Sequence, residues 1–141
     1  MSGYDAYQEY EIALADPLKL VELLYQGALA SVRSARRELA AGRIEPRGRA
    51  VSKASAIVME LAAALDRERG GEIARNLAAL YQYMLTRINE GHANAADAPL
   101  AEVERLIAEL AGAWTGVRSA SEIPDLPHIA DPEFHSLSST F

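Results

Sequence analysis

Apolar residues recur every three or four positions in four long segments of this chain, and glycine or proline interrupts the pattern between segments. This spacing places the apolar side chains on one face of an α-helix. Because the connections between the segments are short, consecutive helices are expected to run antiparallel. The pattern therefore predicts an all-α fold: an antiparallel up-down four-helix bundle with an extended or partly helical N-terminal segment and a proline-containing C-terminal tail.

The residues at the ends of these segments have suitable capping properties. Asp16 suits the N-cap of the first helix, Pro17 its first position and Gly42 the position just after its end. Gly70-Gly71 ends or interrupts the pattern between the second and third helices, and Gly91 is expected to close the third. The predicted helices cover about 17–41, 45–65, 72–90 and 99–120, so the chain divides into an N-terminal segment (1–15), a bundle (16–120) and a tail (121–141).

Composition and motifs exclude several classes of function. The chain has no cysteine, which rules out disulfides and thiolate chemistry, and its net charge of −6 argues against a nucleic-acid partner. No histidine pair has helical ligand spacing, and phosphate-binding and nucleophile motifs are absent, so we predict no metal, no cofactor and no enzymatic activity. No apolar stretch is long enough to span a bilayer and no basic, apolar leader is present, which predicts a cytoplasmic protein without membrane insertion.

Arginines crowd around the loop between the first and second helices, opposed by only two glutamates. One interpretation is favourable charge at the C-terminal end of the first helix. The other is a contact patch for an acidic partner. The residues concerned are Arg33, Arg36, Arg37, Arg43, Arg47 and Arg49.

Two stretches of the sequence resemble a known family. The first covers residues 6–28 and includes Ala15-Asp16-Pro17-Leu18. The second covers residues 65–84, where Leu-Asp is followed in register by Gly-Gly-Glu-Ile-Ala, Asn-Leu and Leu-Tyr-x-Tyr-Met. Over about residues 6–118 the chain resembles the flagellar export chaperones of the FliS family.

The resemblance implies a helical bundle that acts as a cytoplasmic chaperone without catalysis. Such a chaperone binds the disordered C-terminal segment of flagellin, prevents premature polymerisation, and delivers the client to the cytoplasmic domain of the flagellar type III export gate. A monomer that binds its client 1:1 is the family expectation. The alternative is a helical adaptor that sequesters a flagellar regulatory protein.

The first helix is apolar around most of its first two turns, more than one buried face requires. The additional apolar residues are Leu20, Leu23 and Leu24. They form either part of an apolar groove for a client or the surface of a helix that the N-terminal segment covers. In that segment Tyr7, Tyr10 and Ile12 have the composition of a removable lid over the client site, and the competing interpretation is a frayed terminus.

The third helix supplies the remaining candidates for the groove. Asn76 and Tyr81 are polar groups on or beside its apolar face, and a buried asparagine needs hydrogen-bond partners in the core or on a client. The full set on this helix is Ile73, Asn76, Leu77, Leu80, Tyr81 and Met84. The tail has three open interpretations: disorder, docking on the bundle as an apolar cover, or recognition of another flagellar factor.

Overall fold

The computed structural model describes residues 16–121, with side chains described through residue 116. This range forms four helices and no strand: α1 (Pro17–Ala40), α2 (Ile44–Ala63), α3 (Arg67–Ala93) and α4 (Asp97–Ser121). They pack against one another, which confirms the predicted all-α four-helix bundle. Within the same range, none of the helices is both long and apolar enough to cross a bilayer.

Contacts between helix ends show that α1 and α4 run antiparallel. At one end of the bundle Arg36, late in α1, pairs with Asp97 at the start of α4. At the other end the indole Nε1 of Trp114, late in α4, donates a hydrogen bond to the carbonyl of Leu18, 3.3 Å away. α1 and α3 each pack against both α2 and α4. The helices therefore form a square in which α1 lies diagonally opposite α3.

The core consists of apolar residues at helical spacing on each of the four helices. Val32, Val58, Met84 and Ile107 are fully buried, and Trp114 is 3% exposed. Burying one such side chain contributes about 1.5–3 kcal/mol. These residues form one continuous cluster drawn from all four helices.

The predicted caps of α1 are confirmed. The Asp16 carboxylate accepts hydrogen bonds from the backbone amides of Leu18 and Lys19 at 3.1 and 3.3 Å. Gly42 has a φ of +72°, and its amide bonds back into the last turn of the helix. This left-handed residue after the helix is the arrangement in which glycine is favoured.

The glycine pair near residue 70 interrupts α3 instead of preceding it. The helix starts at Arg67, where Asp66 caps the first turn by accepting from the Arg69 amide at 3.1 Å. Gly71 then leaves the helical region, with a φ of +51°, before the helix resumes. The predicted start at residue 72 was therefore late by one turn, because this capped turn lies ahead of the kink.

Gly91 does not close α3, contrary to the prediction. The helix continues to Ala93, and the residue that adopts the left-handed conformation after it is Ala95, with a φ of +49°. Gly91 is buried where α3 crosses α4: a Cβ added to it would lie 2.7 Å from Cγ of Leu100. The glycine is required by close helix packing and not by termination.

Candidate functional site

The sequence-predicted lid residues Tyr7, Tyr10 and Ile12 lie outside the described residues. The tail also lies outside them, except that α4 extends one residue further than predicted, to Ser121. The candidates that can be located are those of α1 and α3.

Three of the α3 candidates belong to the core. Leu77 is 9% exposed, Tyr81 1% and Met84 0%. The hydroxyl groups of Tyr81 and Tyr25 lie 2.6 Å apart and share a hydrogen bond across the centre of the bundle. Burial raises the pKa of both phenols, so this pair stays neutral and polar inside an apolar core. A direct contact between a client and any of these three side chains stays a prediction, and it would require the bundle to open.

The remaining α3 candidates, Ile73, Asn76 and Leu80, lie on the side of α3 that faces α4. Hydrogen bonds between the two helices identify this side. Tyr83 donates a hydrogen bond from its hydroxyl to Oε1 of Glu102 at 2.8 Å, and Nε of Arg87 donates to the same oxygen at 2.7 Å. These bonds hold the pKa of Glu102 below its usual range, so the carboxylate remains charged at neutral pH. We call these three residues the polar clasp between α3 and α4.

The register of the clasp identifies which apolar residues share its side of α3. Residues three, four and seven apart lie on one face of a helix. Counting back from Tyr83 and Arg87, this face includes Ile73, Asn76 and Leu80. The two apolar side chains are half-buried against the edge of the core, whereas Asn76 is exposed. The alternative in which Asn76 is satisfied inside the core therefore does not hold in this structure.

No residue of α4 was among the sequence-predicted site candidates, although one face of α4 lies beside this face of α3. Leu106 and Leu110 follow Glu102 by four and eight residues, and both are half-buried at the edge of the core. The spacing of these leucines is visible in the sequence. To recognise that they lie next to the α3 candidates, one must know which helix packs beside α4. We call the apolar surface formed by these leucines together with Ile73, Asn76 and Leu80 the α3–α4 seam.

The α1 candidates lie on a different side of the bundle. Gly27 faces α2, because a Cβ added to it would lie 3.2 Å from Cδ1 of Ile57. Leu20 and Leu24 precede Gly27 by seven and three residues and therefore share its side of α1. Leu24 packs against the core, whereas Leu20 and Leu23, although half-buried, are not among the described residues that do so.

The sequence-predicted groove is therefore divided between two surfaces. In the square of helices, the edge between α1 and α2 lies opposite the edge between α3 and α4. Leu20, Leu23 and Leu24 belong to the first half of α1, and Ile73, Asn76 and Leu80 to the first half of α3, so the two surfaces lie toward the same end of the bundle.

The arginine cluster is largely engaged within the bundle. Arg36 forms a two-pronged pair with Asp97, with both nitrogen–oxygen distances 2.8 Å, and it also reaches Glu104 at 3.0 Å. Arg33 contacts the same glutamate at 3.4 Å. Arg47 is 7% exposed and donates from Nε to Nδ1 of His92 at 3.0 Å. These contacts join α1 to α4 and α2 to α3, so much of the cluster stabilises the fold.

The chemistry available on these surfaces is that of apolar contact bordered by charge. Among the described residues, no group of three or more histidines and acids is arranged to hold a metal ion. Half-buried leucines along a seam are suited to an amphipathic helix or extended segment that adds its own apolar side chains.

Comparisons with known proteins place this fold in a family. The sequence profile described as "Flagellar protein FliS" matches residues 1–121. The flagellar secretion chaperone FliSB of Pseudomonas aeruginosa is 38% identical over 109 residues, covering 77% of this chain and 86% of that protein. The flagellar secretion chaperone FliS of Salmonella typhimurium is 39% identical over 118 residues, covering 80% and 87%. That of Vibrio cholerae is 30% identical over 128 residues, covering 91% and 85%. This chain therefore belongs to the FliS family of flagellar proteins.

Proposed function

We propose that this protein is a cytoplasmic chaperone that binds the disordered C-terminal segment of flagellin, prevents its premature polymerisation and delivers it to the cytoplasmic domain of the export gate. The free protein is a monomer in this proposal and binds its client 1:1. Family membership supports the general role, since the related proteins are named flagellar secretion chaperones. The choice of client and the path of delivery are the proposal.

The observation that carries the proposal is the α3–α4 seam. A client helix lying along it would add apolar side chains to Ile73, Leu80, Leu106 and Leu110, which the bundle leaves half-buried. The polar clasp sets the limit of this apolar surface toward the other end of the bundle. A segment that folds on binding loses about 2–5 kcal/mol to ordering, so it needs several such contacts.

Leu20 and Leu23 provide a second contact in this proposal. A client helix on the α3–α4 seam cannot reach them directly, because they lie on another side of the bundle. An extended continuation of the client around the end where α1 and α3 begin would reach both surfaces. The N-terminal segment carrying Tyr7, Tyr10 and Ile12 is joined in sequence to α1, which begins at this same end, and in this proposal the segment is the lid that the client displaces.

The test is a calorimetric titration of the full chain with the C-terminal segment of flagellin from the same organism. We expect 1:1 binding with a large negative heat-capacity change, the signature of apolar burial coupled to folding. Leu80→Ala should weaken the affinity about three- to tenfold, because it removes apolar area from the seam.

Leu85→Ala is the matched control. Leu85 is also a half-buried leucine of α3 that packs against the core. It precedes His92 by seven residues, and His92 faces α2 through Arg47, so Leu85 lies on the α2 side. Both variants should lose similar stability, but only Leu80→Ala should weaken client binding.

Two results would contradict the proposal at different levels. Equal affinities of the two variants would remove the α3–α4 seam as the client site. No binding by a folded full chain, and again none by a chain lacking residues 1–15, would reject flagellin as the client and favour the regulatory adaptor.

A further inference from the structure

A shallow depression of about 800 Å³ lies between α2 and α3, near the end of the bundle where α2 begins. Val51, 5% exposed, forms part of its floor, and Asn89 and His92 line its α3 side. Ile44 also lines it and is 67% exposed, the highest value among the large apolar side chains of the described residues. The volume falls within the range of sites that hold ligands of about 300–1,000 Å³. It lies on neither of the two surfaces assigned to the client.

Two arginines with exposed side chains lie at the depression, which Glu45 also lines. Arg49 lines it and pairs with Glu45 at 3.6 Å, and Arg43, beside Ile44, pairs with Glu38 at 3.6 Å. The two arginine side chains are 69% and 66% exposed. The Arg49–Glu45 pair is long and exposed on both sides, so it contributes little to stability and Arg49 can accept another carboxylate at small cost. Glu38 is only 20% exposed, so Arg43 would keep this partner and accept a second carboxylate from its exposed side.

The charges of the chain are divided unequally along its length. Residues 16–121 contain all 14 lysines and arginines but only 13 of the 20 acids, whereas the last 20 residues contain four acids and no lysine or arginine. Those last residues also contain six large apolar side chains, of which Phe134, Leu137 and Phe141 lie in the final eight positions. Their sequence therefore combines the two features that complement the depression: apolar bulk and negative charge.

The tail is long enough to reach this site. The 24 residue steps of α4 from Asp97 to Ser121 extend about 36 Å, at about 1.5 Å per residue. A returning chain at about 3.3 Å per residue covers that length and the width of one helix in about 14 residues. Counting from residue 122, this brings residue 135, next to Phe134, and the residues after it level with the start of α2.

We propose that the C-terminal tail of this protein docks in its own α2–α3 depression. Phe134, Leu137 and Phe141 pack in the depression around Ile44 in this arrangement, and Glu133 lies near Arg49. The family profile ends at residue 121, so this self-docking segment lies beyond the matched family core. The proposal does not depend on flagellin being the client.

The absence of cysteine allows a direct test in the full chain. Ser139→Cys introduces a single site for a nitroxide spin label, and paramagnetic broadening of backbone amides is then measured by nuclear magnetic resonance. The expected result is strongest broadening at Gly48, Ser52 and Asn89, around the depression. Strongest broadening elsewhere, or weak broadening spread evenly over the bundle, would overturn the proposal.

Two α2 variants test whether the apolar contact is responsible. Ile44→Asp should lower the ratio of docked to undocked tail about tenfold, since it removes the burial of one isoleucine side chain. Met59→Asp is the matched control, because Met59 is also an exposed α2 residue, at 54%, but does not line the depression. Equal broadening in the two variants would contradict docking at Ile44, and circular dichroism would check that both remain folded.

A mixing experiment separates docking within one chain from docking between copies. Spin-labelled chain without isotope is mixed with isotope-labelled wild-type chain, so that only contacts between molecules cause broadening. No broadening is expected. Broadening around the depression in this mixture would replace the intramolecular proposal with an interface between two copies.

Discussion

Replacing Gly91 with alanine tests the close packing of α3 against α4. The added Cβ would lie 2.7 Å from Cγ and 3.0 Å from Cδ2 of Leu100, and 3.2 Å from the carbonyl oxygen of Ala96. The preferred distance between carbon atoms is about 3.5–4.0 Å, so the methyl group intrudes by about 1 Å. Leu100 is fully buried, and its Cγ is a branch point that cannot move away by rotating its terminal methyl groups. Overpacking of this kind costs about 1–3 kcal/mol.

Gly112→Ala provides the reference for this measurement. Gly112 lies inside α4 and is exposed, and among the described residues no side chain and no other helix comes within 4 Å of an added Cβ. Both substitutions gain about 1 kcal/mol of helix propensity, so the difference between them isolates the clash. We expect urea denaturation to give Gly91→Ala a free energy of unfolding about 1–3 kcal/mol below that of Gly112→Ala. Equal stabilities would refute the close-packing argument, as would a Leu100→Ala substitution that costs as much in the Gly91→Ala background as in wild type.

Two further predictions concern the ends of α3 and α4. Ala95→Gly should raise the free energy of unfolding by about 1 kcal/mol, because a φ of +49° strains alanine and not glycine, and thermal denaturation would measure the gain. Hydrogen bonding to Arg36 lowers the pKa of Asp97 from its ordinary value of 3.8, so this pair stabilises the fold above that ordinary value and the contribution is lost as the pH falls through the lowered pKa. Asp97→Asn should therefore cost about 0.5–1 kcal/mol at neutral pH, since the pair is partly exposed, and unfolding measured across the pH range should show the difference shrinking in acid. An unchanged stability of Ala95→Gly, or a pH-independent cost of Asp97→Asn, would contradict these arguments.

The helices were predictable because their signals are local. The stripe of α1 lies between Asp16 and Gly42, and each of these residues acts on the backbone within a few positions of itself. Gly91 shows where local reasoning fails, since a glycine after an apolar stripe is typical both of a helix end and of a close helix crossing. Only the position of Leu100 distinguishes the two, and that contact depends on how α3 meets α4. The true end, at Ala93, has no glycine to mark it, because the left-handed residue after it is Ala95.

The candidate site was predictable residue by residue but not as a surface. Periodicity correctly identified Ile73 and Leu80 as lying near the apolar face of α3. It could not separate them from Met84, because the burial of a residue on the same face depends on the neighbouring helix. It also grouped Leu20 with the α3 residues, although the structure divides them between two sides of the bundle. Such assignments depend on long-range packing, which a single sequence does not encode in its spacing.

The half-buried residues of the proposed client surface also contribute to the stability of the bundle, so a test of binding must control for stability. Leu80 packs against the edge of the core, so its truncation weakens the fold as well as the contact it offers to a client. A loss of client affinity in one variant is therefore ambiguous, because a partly unfolded chaperone also binds less. Leu85 resolves the ambiguity, since it shares the helix, the residue type and the contact with the core but lies on the α2 side. If the seam is the client site, Leu80→Ala and Leu85→Ala should lower the free energy of unfolding by similar amounts, but only Leu80→Ala should weaken client binding.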